Sequence, residues 1–138
     1  MATERIKAPT EVSSAALAYL GDSVLERRVR RFLVQCGISH ASELNSAALD
    51  FVRASAQADA IENIIEVLEE GEAAAFRRGR NIGHTNIPKS ATALQYRRAT
   101  GMEALFGYLD MLGKNERIDE LFLLAYAETI KKYKEKEE

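Results

Sequence analysis

The sequence predicts an all-α protein of one domain, and three observations carry that expectation. Apolar residues recur at three- and four-residue steps along most of the chain, and no stretch shows the strict alternation of a half-buried strand. Only 2 prolines and 8 glycines punctuate 138 residues that are rich in Ala, Leu, Glu and Arg, all strong helix formers. The length suits a single compact domain with a real core. With 29% charged and 46% hydrophobic residues, the composition is that of a globular chain rather than a disordered one.

In chain order, residues 1–11 read as a flexible leader. Ser13 or Ser14 caps a first helix that runs to about residue 35, with Gly37 as its stop. Ser42 caps a short second helix that ends near residue 49. Val52, Ser55, Ile61, Ile64, Ile65 and Leu68 then keep helical spacing, which predicts a third helix over residues 51–69 closed by Gly71. Residues 72–80 make a short fourth. The stretch 81–89 has no apolar period and holds Gly, Asn and Pro, so it is a loop. Ser90 or Thr92 opens a fifth helix ending near residue 112 at Gly113. Asn115 caps a sixth, whose buried stripe is Ile118, Leu121, Phe122, Ala125 and Ile130. The expected architecture is therefore about six helices in one domain over residues 12–134, followed by a frayed tail at 135–138. No repeat or linker divides it.

Several function classes fall away at this point. The single Cys36 rules out an internal disulfide framework and suits a reducing compartment. The first ten residues lack the apolar centre of a secretory signal, and the longest apolar run, residues 121–127, is far too short to span a bilayer. The expectation is a cytoplasmic protein with no membrane partner.

Net charge is only −2, but the charges are segregated. Residues 59–72 hold six acids (Asp59, Glu62, Glu66, Glu69, Glu70, Glu72) and no Lys or Arg. Residues 77–98 hold six bases (Arg77, Arg78, Arg80, Lys89, Arg97, Arg98) and no acid. A second basic cluster, Arg27, Arg28, Arg30 and Arg31, lies in the first helix. Segregation of this kind suits a polyanionic partner, although solvated helix faces account for many such runs.

Two acids stand apart from these runs. The first helix is apolar on nearly all sides, yet Ala15, Ala18, Asp22, Leu25 and Val29 share one face, and a carboxylate there is expensive to bury unpaired. A lone helical Asp is commonly just solvated or capping. The adjacent Gly21 argues otherwise, because glycine inside a helix costs about 1 kcal/mol against alanine and here implies close backbone approach. Glu103 repeats the pattern in the fifth helix, between Gly101 and Gly107. If the two helices cross, the two carboxylates meet, and such hard oxygens suit Mg²⁺, which takes few protein ligands and keeps waters or phosphate oxygens. An ion held so can polarise a phosphodiester.

These residues also carry a resemblance. Leu20-Gly21-Asp22 followed by Val24-Leu25 resembles the signature helix of the ribonuclease III family, and Glu103-Ala104-Leu105-Phe106-Gly107 resembles its second acidic helix. Arg78-Gly79-Arg80-Asn81, then Pro88-Lys89, then Tyr96-Arg97 is similar to the short branch called Mini-ribonuclease III. The match covers about residues 17–112. The resemblance implies a ribonuclease III-like helical fold, a homodimer, and cleavage of double-stranded RNA with a divalent metal, Mg²⁺ with Mn²⁺ as a substitute. It makes Asp22 and Glu103 the metal-binding catalytic carboxylates, and it points to maturation of precursor large-subunit ribosomal RNA, with 5′-phosphate and 3′-hydroxyl ends. The basic arm, Arg77, Arg78, Arg80, Asn81, Lys89, Tyr96 and Arg97, is the expected RNA-binding segment.

The chain also departs from the family pattern. Full-length ribonuclease III carries two more acids, four residues before the aspartate and three before the glutamate; here those positions are Ala18 and Thr100. Glu26 and Asp110 lie one and two turns away and read as solvated charges that can at most assist. His40 and His84 are lone histidines, and Gly37 separates Cys36 from His40, so neither pair nor residue suggests nucleophilic catalysis. Two functions stay open: a metal-dependent endoribonuclease on structured RNA, and a non-catalytic RNA-binding or ribosome-associated protein that keeps the fold.

Overall fold

The computed structural model describes residues 6–82, 89 and 91–135, and among these the backbone forms seven α-helices and no strand. They are α1 (Ser14–Gln35), α2 (Ala41–Val52), α3 (Ala54–Glu62), α4 (Glu70–Arg80), α5 (Ala93–Met111), α6 (Asn115–Ala125) and α7 (Ala127–Glu135). The all-α expectation holds. The caps follow local chemistry: Ser13 accepts from the Ala16 amide at 3.1 Å, and Thr92 and Gln95 cap α5 reciprocally, each side chain bonding the other's amide at 3.1 Å. Gly37 and Gly113 take positive φ values of 89° and 71°, which is why α1 and α5 stop where the glycines predicted. The centre of the expected loop, residues 83–88 with His84, and Ser90, lie outside the described residues.

Two helices differ from expectation, and the reason is the same at both. The expected third helix over 51–69 is divided, because Arg53 is extended (φ −58°, ψ 146°) and α3 ends at Glu62, leaving Ile65–Val67 as a 3-10 turn. The expected sixth helix breaks at Tyr126, so there are seven helices rather than about six. Side chains from elsewhere take up carbonyls freed at these breaks. Gln57 Nε2 donates to the Val52 carbonyl at 3.0 Å, and Asn63 Nδ2 donates to the Ala125 carbonyl at 2.9 Å. Each break turns an aromatic residue into the core: Phe51 stacks on Phe122 at 6.3 Å, and Tyr126 packs on both and donates its hydroxyl to the Phe51 carbonyl at 2.8 Å. Smaller boundary shifts occur at α2, which begins at Ala41, at α4, which begins before Gly71, and at α6, where Lys114 rather than Asn115 is the cap position.

α5 runs through the middle of the bundle. Its buried residues, among them Met102, Leu105, Phe106 and Leu109, point in every direction round the helix, as expected of a helix enclosed by its neighbours. α1, α3 and α4 all pack against it. No helix among the described residues is long and apolar enough to cross a membrane.

Candidate active site

α1 and α5 cross with their backbones touching. A Cβ on Gly21 would stand 1.6 Å from the Glu103 carbonyl oxygen, and one on Gly107 would stand 2.0 Å from the Leu17 carbonyl oxygen. Neither glycine has a positive φ, so both are glycine because of what lies opposite rather than because of their own backbone. This crossing offers one acid from each helix. Asp22 follows Gly21 on the exposed edge of α1, and Glu103, half-buried, precedes Gly107 by one turn on α5.

The two carboxyls are hydrogen-bonded to each other. Burial, the charge of Asp22 and the hydrogen bond to Asp22 together push Glu103 from the usual 4.5 up to about 8. At neutral pH Glu103 therefore keeps its proton and donates it to Asp22. Among the described residues no cationic side chain acts on Glu103 to offset a second charge there. Among the described residues no group of three or more His, Cys, Asp or Glu is placed to hold a metal ion, so the donor set is this pair alone.

The surroundings explain why no third acid joins. Ala18 is buried against Leu17 and Ala104, and Thr100 turns its hydroxyl back to the Tyr96 carbonyl at 3.0 Å. Glu26 is engaged with Arg30 at 2.8 Å. Asp110 lines a groove along α1 with Arg27, Arg28 and Arg31. His40 is exposed and makes no cap bond at the head of α2.

The basic arm is only partly free. Arg77 and Arg78 are exposed on the last turn of α4, and Lys89 and Arg97 are exposed beyond it. Arg80 lays its guanidinium 5.6 Å from the Phe76 ring centre and bonds Asn81 Oδ1 at 3.4 Å. Tyr96 is half-buried on α5. Arg98, counted with the bases in the sequence, is instead paired with Glu62 of α3. Arg28 of the α1 cluster is likewise paired, with Asp119 at 3.0 Å, and lies over the Phe122 ring. The sequence segregates its charges more than the fold does.

Sequence reasoning passed over one charged centre entirely. Glu72 is buried and receives Arg117 Nε at 2.8 Å, Arg117 Nη2 at 2.8 Å and the Glu69 amide at 2.8 Å, tying the head of α4 to α6. Burial would raise its carboxyl, but the bonds from Arg117 and Glu69 and the charges of Arg117 and Lys114 outweigh this and hold it below the usual range. The signal was present in Glu69-x-x-Glu72, where an acid at the third helical position reaches back to the cap amide.

Comparison with known proteins agrees with this geometry. The family model for the Ribonuclease III domain matches residues 15–113, which spans the crossing and both acids. The Mini-ribonuclease 3 of Symbiobacterium thermophilum is 39% identical over 121 residues, covering 88% of this chain and 93% of that protein. The Mini-ribonuclease 3 of Desulfitobacterium hafniense is 43% identical over 110 residues, covering 78% and 68%. The crystal structure of protein FN1578 from Fusobacterium nucleatum superposes with a TM-score of 0.74 at 32% identity, covering 80% of this chain and 88% of that one. Two acids held at a glycine crossing, inside a match that covers most of the chain, place this protein in the ribonuclease III family, as an endoribonuclease that acts on double-stranded RNA.

Proposed function

We propose that Asp22 and Glu103 are the catalytic carboxylates and that they bind Mg²⁺, with Mn²⁺ able to substitute. The observation that carries this reading is their hydrogen-bonded contact at the α1–α5 crossing, where no cation among the described residues acts on Glu103. The donor set fits such an ion: two hard oxygen ligands, Asp22 open to solvent, leave most coordination positions to water and phosphate oxygens. When bound, the ion supplies Lewis-acid polarisation of the phosphodiester and a more acidic water. The protein's own part is to hold the two carboxylates rigidly, because backbone contact at Gly21 and Gly107 leaves neither helix room to slide. Arg77, Arg78, Arg80, Asn81, Lys89, Tyr96 and Arg97 grip the RNA backbone and so orient the phosphate for in-line attack by water. The products carry 5′-phosphate and 3′-hydroxyl ends.

The working form is a two-fold homodimer. Tyr19 is 85% exposed and Val34 61% exposed at two places along α1, apolar side chains that a second copy would cover. The substrate is precursor large-subunit ribosomal RNA in the cytoplasm, where the single cysteine, Cys36, stays reduced. The test is cleavage of a uniform RNA duplex by the purified chain. Mg²⁺-dependent cutting that EDTA stops, with 5′-phosphorylated products, is expected. Duplex binding with no cutting in Mg²⁺ or Mn²⁺ would overturn the reading, and light scattering that shows only an active monomer would remove the dimer.

A further inference from the structure

α5 also meets a second helix across glycines, a little less closely than it meets α1. A Cβ on Gly79 of α4 would stand 2.5 Å from the Ala104 Cβ, 3.0 Å from the Gly101 Cα and 3.1 Å from the Thr100 carbonyl oxygen. A Cβ on Gly101 would stand 2.7 Å from the Phe76 ring and 2.8 Å from the Phe76 carbonyl oxygen. Phe76, Gly79, Gly101 and Ala104 are all buried. The last turn of α4 therefore lies directly on residues 100–104 of α5, the turn that carries Glu103. Its outward side carries the arm, with Arg78 and Arg80 flanking Gly79 in the chain and Arg80 seated on the same Phe76 ring that covers Gly101.

We infer that Gly79 is a positioning residue: by seating α4 backbone-on-backbone against α5, it fixes the span between Arg78 and Arg80 and the Asp22–Glu103 carboxyls. This rests on the proposed function above, in which those arginines hold the RNA backbone and those carboxyls serve the reaction. A phosphate chain gripped by the arm then presents its scissile linkage at one distance only. The connection contains no long flexible side chain, since Gly21, the Glu103 carbonyl, Gly101 and Gly79 are linked by main-chain contacts. A methyl on Gly79 must move the Ala104 contact from 2.5 Å to an ordinary 3.4–4 Å, so α4 lifts by about 1 Å and carries its arginines with it, none of them removed. Misplacement of that size can lower a rate about a hundredfold without weakening binding.

The experiment compares Gly79→Ala with Gly79→Ala/Ala104→Gly, which removes the nearest opposing methyl, measuring melting temperature, duplex RNA affinity across salt, and single-turnover cleavage at saturating RNA with Mg²⁺. Gly79→Ala should bind duplex within about threefold of wild type with the same salt slope, yet cut about tenfold to a hundredfold slower at saturation. The double variant should recover most of that loss. A wild-type saturating rate in Gly79→Ala, a loss lying wholly in affinity, or no recovery in the double variant overturns the inference. Should Gly79→Ala not fold, Phe76→Leu, which trims the ring seated on Gly101, is read the same way: a severalfold slower saturating rate supports it and a wild-type rate overturns it. Failure of the wild-type chain to cut a duplex that it binds would instead remove the underlying reading, before any variant is made.

Discussion

Glu103 and Glu72 are both withdrawn from solvent, and their surroundings drive them in opposite directions. Glu72 is the deeper of the two, only 3% exposed, yet Arg117 and the Glu69 amide meet its oxygens and keep it ionised. Arg117 is itself completed by the Val67 carbonyl and Glu120, so the cluster is closed on both sides. Glu103 has no such partner: burial first, then the charge of Asp22 and the hydrogen bond to it, push it up to about 8. Burial pushes both carboxyls up, and the partner decides whether that push stands. A closed ion pair holds α4 against α6, whereas an acid facing an acid is unfinished until a cation arrives.

The largest effect belongs to the unfinished pair. Asp22→Asn and Glu103→Gln should each lower single-turnover cleavage of duplex RNA by at least about a hundredfold, because they remove charge that acts on the transition state. At pH 8 in EDTA, where Glu103 is partly ionised beside Asp22, neither should lower the melting temperature, since each removes acid–acid repulsion. A near wild-type rate in either variant would show that the pair is not catalytic.

Glu72→Gln should do the reverse. It leaves Arg117 with a weaker acceptor in a site where the arginine side chain is only 19% exposed. Breaking a buried pair this way costs about 3 kcal/mol at most, with partial solvation of Arg117 reducing it. The expected readout is a clear fall in melting temperature with the saturating cleavage rate kept at temperatures where the variant is folded. If cleavage falls and stability does not, Glu72 is not a structural acid.

The same two acids give opposite slopes of stability against pH. Glu72 is lowered in the folded state, so its contribution is present above the usual 4.5 and is lost as pH falls through that value and below it. Glu103 is raised, so the folded chain keeps a proton that the unfolded chain releases, and stability declines as pH rises from 4.5 to about 8. In EDTA, wild type should melt lower at pH 8 than at pH 6, and Glu103→Gln should flatten that difference. Adding Mg²⁺ at pH 8 should raise the wild-type melting temperature and leave the Gln variant unmoved. Equal pH slopes in the two proteins would contradict the electrostatic account.

How much of this could be read beforehand differs from one residue to the next. Asp22 and Glu103 were legible because each is a lone acid beside a glycine in an apolar helix. Their meeting was not legible from periodicity, since α5 is apolar all round and its pattern points to no one neighbour. The breaks at Arg53 and Tyr126 carry no proline or glycine; Gln57 and Asn63 help make them through bonds that exist only in the folded chain. Charge segregation was overstated for the same reason, because Glu62 finds Arg98 and Glu72 finds Arg117 across long sequence separations. Gly79 and Gly101 were visible as helical glycines, but what each faces is a tertiary fact.

The smallest expected effect concerns the rim of the contrast, where charges are neither buried nor paired. Arg78 and Lys89 are exposed, and no ion pair engages either among the described residues. If they hold phosphates of an A-form duplex, which is read mainly through backbone and shape, they contribute affinity with little sequence preference. Each substitution, Arg78→Ala or Lys89→Ala, should then weaken duplex binding and flatten the slope of log affinity against log salt by roughly one unit. The competing role for Arg78 is to face the negative end of α4, whose last turn already holds Arg77 and Arg80. In that role the substitution would lower the melting temperature and leave affinity at matched salt unchanged. Measuring both quantities on the same protein separates the two, and because the carboxyl pair is untouched, the saturating cleavage rate should stay at the wild-type value. An unchanged salt slope in both variants would take the arm out of RNA binding and leave recognition to some other face of the domain.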